Sequence, residues 1–191
     1  SHFNEIFLTD VRIPADWLLG ELNNGWNQAT AMLMFERVAI GTGSTSGITR
    51  PTADRLIEEA KRNGKIGDPV VRQELMKLYS EETTKSLVSM RTRAEVQSGK
   101  VPGPGGSLGK LHGAKIARTT RTLINRVVGQ STSAWEPGDK GELWGRNLLS
   151  SFQSSIAGGT DEIQKNIIGD RVLGLPREPS VDKDVAFKDL K

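Results

Sequence analysis

The chain of 191 residues carries 26 Lys and Arg against 23 Asp and Glu, a formal net charge of +3, with 36% hydrophobic residues. That is long enough for one domain with a sizeable core, and the interleaved, nearly balanced charge excludes wholesale disorder and indicates no nucleic-acid-binding arm or patch. With no Cys and only His2 and His112, disulfides and thiolate chemistry are excluded and no metal site is expected.

Ser1-His2 reads as an added remnant, and the chain as a fragment. Residues 3–11 mix Phe3, Ile6, Leu8 and Val11 with polar neighbours and predict one strand, broken by a turn at 12–16. From Gly25 the pattern becomes helical. Ala29, Leu33, Glu36, Ile40 and Gly43 recur at spacings of four and three and share one face. Pro51 should kink or end this helix, which continues through Leu56, Ile57 and Ala60 to Asn63-Gly64.

A second helix is predicted from Asp68-Pro69, an N-cap acid followed by proline, with a stripe of Leu75, Leu78, Leu87 and Val88 up to about Ser98. The irregular stretch 101–106 marks a hairpin loop, after which Ser107 caps a third helix to about Val128. Residues 129–141 read as loop, 143–155 as helix, and Thr160 to Leu173 as a last helix ended by Gly174 and Pro176. From Arg177 the chain reads as a loose charged tail. No apolar run approaches the ~20 residues of a membrane span, and no leader resembles a signal peptide. A cytoplasmic location is expected. Helices joined by short loops, each with one apolar stripe, predict an all-α fold, an up-and-down antiparallel helix bundle.

Glu36 is the residue with the strongest claim to chemistry. On the same face as Leu33 and Ile40 it should point inward, where desolvation makes a carboxylate a better base. The other reading is a carboxylate paired with a cation at the bundle edge. Arg37 is equally an ordinary ion-pair partner. Thr160 is placed as an N-cap, with Asp161 and Glu162 in the first turn against the helix dipole. Gly158-Gly159 suits a tight turn. Two other glycine-rich stretches carry no phosphate chemistry. The run 41–47 lies within a helix, and 103–110 has Pro104 and Leu111 where a Walker loop needs Gly and Ser or Thr.

The run from Ile156-Ala157-Gly158-Gly159-Thr160 through Gln164 to Gly174-Leu175-Pro176 resembles the closing signature of the acyl-CoA dehydrogenase family. That resemblance implies an FAD-dependent oxidoreductase that desaturates acyl-CoA thioesters. It also implies an electron-transfer flavoprotein-type acceptor and a tetramer assembled through the helical bundle. Residues 25–176 would be the C-terminal helical bundle and 177–191 its charged tail, with 1–24 a remnant of the preceding β domain.

In the family the residue before the Gly-Thr pair is usually the base, and here it is Gly158. A branch resembling the isovaleryl and long-chain enzymes carries the base on the first bundle helix before an arginine, the pattern of Glu36-Arg37, which makes Glu36 the implied catalytic base and Arg37 its neighbour at the thioester. Gly158 keeps the backbone N–H that, in the family, bonds the thioester carbonyl together with a flavin hydroxyl. Thr160 and Glu162 stand where the family holds FAD.

The family also reaches the flavin pyrophosphate with an arginine from a neighbouring subunit, followed at fixed spacing by a glutamine. Arg62 and Gln73 keep that spacing, but the Phe-Gly pair between them is absent. Of the later Gln-x-x-Gly-Gly-x-Gly loop only Gly129 remains. These losses leave an alternative, a non-catalytic structural subunit of a heteromeric dehydrogenase. The wording of the closing helix is similar to actinobacterial dehydrogenases, some of which pair unlike subunits on steroid side chains, so the substrate class is either fatty acyl or steroid side-chain thioesters.

Overall fold

The computed structural model describes residues 4–42, 53–100, 103–179, 185 and 187–189, with the backbone alone for 37–42. Among these lie α1 (Gly25–Thr42), α2 (Ala53–Arg62), α3 (Pro69–Gln97), α4 (Gly106–Val128), α5 (Lys140–Ser150) and α6 (Asp161–Ile167). Among the described residues no strand is present, and no helix is long and apolar enough to cross a membrane. Side-chain pairs fix the helix directions. Glu81 meets Lys115 at 2.8 Å and Glu74 meets Arg126, so rising numbers on α3 face falling numbers on α4. The Ala53 N–H donates to Glu82 at 2.9 Å, while the Asn63 amide donates to the Val127 carbonyl, so α2 is antiparallel to α3. The expected all-α, up-and-down bundle is what forms.

Helix α4 is the axis of the fold, with α1, α2, α3, α5 and α6 all packed on it. The core joins Leu56 and Ala60 of α2, Val71, Leu75 and Leu78 of α3, Leu123, Ile124 and Val127 of α4, and Trp144 of α5. Burying each of these large side chains contributes about 1.5–3 kcal/mol. Helix α3 begins as the sequence predicts: the Asp68 carboxylate accepts from the N–H of Val70 at 2.8 Å and of Val71 at 3.3 Å, with Pro69 at the first helical position. The stripe needs one correction, because Leu87 is 61% exposed. At ~3.6 residues per turn it falls on the opposite side of α3 from Leu78.

Several boundaries also differ. Residues 4–14 form no strand, and Ile6, Phe7, Leu8 and Val11 are exposed. An extended run becomes a strand only when a neighbour takes its N–H and C=O groups, and this one has no such neighbour among the described residues. Ser107 does not cap α4. Gly105 holds that position, and Ser107 lies inside the helix with its hydroxyl buried and without a partner among the described residues. The loop region opens with a 3-10 turn, Gly129–Thr132, α5 starts earlier than expected, and a second 3-10 turn, Ser151–Ser155, follows it. The last helix narrows to α6 and then widens into a π-helical turn, Ile168–Val172, before Gly174 at φ 66° ends it. The tail starts tethered, because the Arg177 fork holds Asp170 at 2.9 and 2.8 Å. Gly43, Pro51 and residues 101–102 lie outside the described residues.

Helix α5 is held by two glycines one turn apart. A Cβ on Gly141 would overlap the Ser131 carbonyl, and one on Gly145 would overlap the Trp135 indole nitrogen and stand 2.8 Å from the Thr132 carbonyl. Backbone carbonyls cannot yield as flexible side chains do. Gly145→Ala should therefore cost about 1–3 kcal/mol of stability, read as a lowered urea midpoint. An unchanged midpoint would show that α5 has room to shift.

Candidate functional site

Between the 3-10 turn and α6 the chain turns on two glycines, Gly158 at φ 71° and Gly159 at φ 90°. Only glycine adopts such angles at little cost. Gln164, fully buried on α6, closes the turn from inside: its Nε2 donates to the Gly158 carbonyl at 2.8 Å and reaches the Gly159 carbonyl at 3.5 Å. A Cβ on Gly159 would stand 2.6 Å from that nitrogen, so the turn and the amide specify each other. Thr160 is the expected N-cap, its hydroxyl accepting from the Ile163 N–H at 3.3 Å. Among the described residues no carbonyl accepts the Gly158 N–H. Glu162 is exposed in the first turn of α6.

Asp161 stands in the first turn of α6, as the sequence suggests, and is also buried in a charged cluster. It is 7% exposed, with Lys110, itself 3% exposed, at 3.5 Å and Arg118 in direct contact. Lys110, Ala114 and Arg118 follow one another at four-residue spacing on α4, one stripe facing α6. Burial opposes ionisation of Asp161. The hydrogen bond and charge of Arg118, the charge of Lys110 and the Ser155 hydroxyl outweigh it and hold the carboxyl below its ordinary range. The stripe was visible in the sequence as two basic residues flanking an alanine, but the partner that gives it meaning comes from α6.

Glu36 is exposed on α1, and so are Met32, Leu33 and Phe35. The expected inward face of Ala29, Leu33 and Glu36 is therefore corrected: Thr30, Ala31 and Met34 are the less exposed residues of that stretch. A helix that is apolar on every side does not reveal by periodicity which side meets its neighbour. Both α1 and α6 pack on α4. The side chains of Arg37 and Ile40 lie outside the described residues.

Arg62, Gln73 and Gly129 come together at one end of the bundle. Asn63 bonds the Val127 carbonyl, and Glu74 pairs with Arg126, so the end of α2, the start of α3 and the end of α4 meet there. Gln73 and Gly129 are exposed, and Arg62 is held by Glu59 at 2.6 Å. The group beside α6 is different. From Arg118, which marks its level, to Gly129 is roughly 16 Å of helix at ~1.5 Å per residue.

The family model described as acyl-CoA dehydrogenase, C-terminal domain, matches residues 23–173. Among curated proteins, the chain is similar to acyl-CoA dehydrogenase IpdE1 of Mycolicibacterium smegmatis, 36% identical over 93% of this chain and 44% of the relative. IpdE1 of Mycobacterium tuberculosis is 35% identical over 93% of this chain and 45% of its own length. The chain thus spans less than half the length of these relatives. A solved structure of a Tcur3481-Tcur3483 steroid ACAD variant superimposes with a TM-score of 0.70 at 24% identity, over 89% of this chain and 45% of that one, a likeness of fold.

Proposed function

The chain belongs to the acyl-CoA dehydrogenase family, as its C-terminal domain, and from that premise we propose that it is the helical part of a longer FAD-dependent enzyme that desaturates an acyl-CoA thioester between Cα and Cβ. Glu36 takes the α-proton, with Arg37 beside it at the thioester. The Gly158 N–H donates to the thioester carbonyl, whose oxygen gains negative charge as the proton leaves. The observation that supports this most directly is the glycine turn, whose carbonyl is held by Gln164 while its N–H stays without an acceptor among the described residues. Glu36 sits on an exposed apolar stretch of α1, the kind of surface that a substrate and further protein cover. In this reading 1–24 is the remnant of a β domain, 25–176 the bundle and 177–191 its tail.

The residues present fit FAD in two separate places. At α6 the Thr160 hydroxyl can still donate, and the Glu162 carboxylate repels phosphate and accepts from hydroxyls, so this end suits the polyhydroxylated middle of a flavin. The far end, with Arg62, Gln73 and the exposed Gly129, suits a pyrophosphate. As the family resemblance implies, two subunits supply these groups to one cofactor, and the enzyme is a tetramer through the bundle. When bound, FAD supplies the acceptor for the β-hydride. An electron-transfer flavoprotein-type partner in the cytoplasm would take the electrons onward.

The second reading is a structural subunit of a heteromeric dehydrogenase acting on steroid side-chain thioesters. It is favoured by the two-part name of the solved steroid ACAD and by the missing Phe-Gly pair. The full-length protein, purified alone and with candidate partners, decides between them. Bound flavin that bleaches when acyl-CoA is added supports the enzyme, and a protein that never retains flavin supports the structural subunit.

A further inference from the structure

A single nitrogen of Arg118 bonds both flanks of the glycine turn. Its Nη1 donates to the Ser155 hydroxyl at 2.8 Å and to the Asp161 carboxylate. Ser155 is the last residue before segment 156–160, and Asp161 is the first after it. One turn of α4 further on, Arg121 stacks its guanidinium over Phe152 at 4.2 Å, so the same helix also grips the stretch leading into the turn. Gln164, three residues on from Asp161, fixes the turn through the Gly158 carbonyl.

A loop with two left-handed glycines would otherwise sample a wide range of backbone angles. With both ends joined through one planar guanidinium and one carbonyl pinned, the direction of the remaining Gly158 N–H is set. We propose that Arg118 is a positioning residue that straps both ends of the 156–160 turn and so aims the Gly158 N–H at the substrate carbonyl. The use of that N–H rests on the function proposed above. The strap itself rests on the hydrogen bonds alone. A lysine keeps the charge, but its N–H groups rotate at the end of a flexible stem, whereas the two on Nη1 are fixed in the guanidinium plane, so it holds Asp161 and Ser155 together less firmly.

The experiment compares the full-length FAD-bound protein with Arg118→Ala, Arg118→Lys and Ser155→Ala, reading amide hydrogen exchange of the peptide 156–164 alongside steady-state kinetics. Exchange of the turn should speed up by about tenfold in Arg118→Ala and by less in the two milder variants, while the α3 peptides stay as in wild type. The kcat should fall about 10–100-fold in Arg118→Ala with KM changed by less than about threefold, and Arg118→Lys should recover part of the loss. If the turn exchanges at the wild-type rate in both Arg118→Lys and Ser155→Ala, the strap is refuted, whether or not the protein turns over. If the turn loosens but kcat is unchanged, the aiming role is refuted. A wild type that never reduces its flavin overturns the proposed function, and the exchange result still decides the strap.

Discussion

Glu36→Gln in the full-length holoprotein is expected to slow flavin reduction by acyl-CoA about 10²–10⁴-fold, the usual contribution of a positioned general base. Glutamine keeps the shape and a hydrogen-bonding carbonyl, so substrate affinity should hold while the proton has nowhere to go. Stopped-flow absorbance of the flavin separates the two effects, and wild-type speed in Glu36→Gln would remove Glu36 from the mechanism. The other carboxylates are worse placed for the task. Asp161 is buried, yet Arg118, Lys110 and Ser155 together hold it ionised and weakly basic. Glu82 is pushed up by burial, but it serves α2 by accepting the Ala53 N–H. Gly158 has no side chain to offer.

What the sequence showed and what it hid follow from the range of the forces involved. Local rules carried the start of α3, where Asp68 and Pro69 satisfy the first N–H groups without help from any other helix. The same holds for Thr160 and for the arrest at Gly174. Features that depend on a distant partner were not legible. The extended run at 4–14 has strand-like residues and no strand beside it. Leu87 is as apolar as Leu78, and only packing on α4 shows which of them is inside. In α1 the surround of Met32, Leu33, Met34 and Phe35 left the orientation of Glu36 undetermined by period. The Lys110, Arg118 and Asp161 cluster joins residues from two helices, and the nearest sequence signal, three positions spaced by four, is common on any solvated helix.

That cluster also carries the largest expected change in stability. Lys110 is 3% exposed and Asp161 lies at 3.5 Å, so Asp161→Ala leaves a buried ammonium with its nearest counter-charge gone. Breaking a buried pair in this way costs about 3–5 kcal/mol. Arg118 adds less to the loss, because its side chain is 42% exposed and can turn to water. The pH dependence has a definite sign. In the folded chain Asp161 is held below its ordinary range, burial notwithstanding, so the folded state binds its proton less readily than the unfolded one. Its contribution is complete above the unfolded value of about 3.9 and is lost as pH falls through the lowered folded value. Urea unfolding of wild type and Asp161→Ala should therefore differ most from about pH 5 upward and converge toward acid, where Asp161 of the wild type is protonated and Lys110 lacks this counter-charge in both proteins. Asp161→Asn keeps a carbonyl to accept from the ammonium and should lose less than the alanine variant. A gap that widens in acid, or stays constant across the range, would mean that Asp161 contributes through packing and not through its charge.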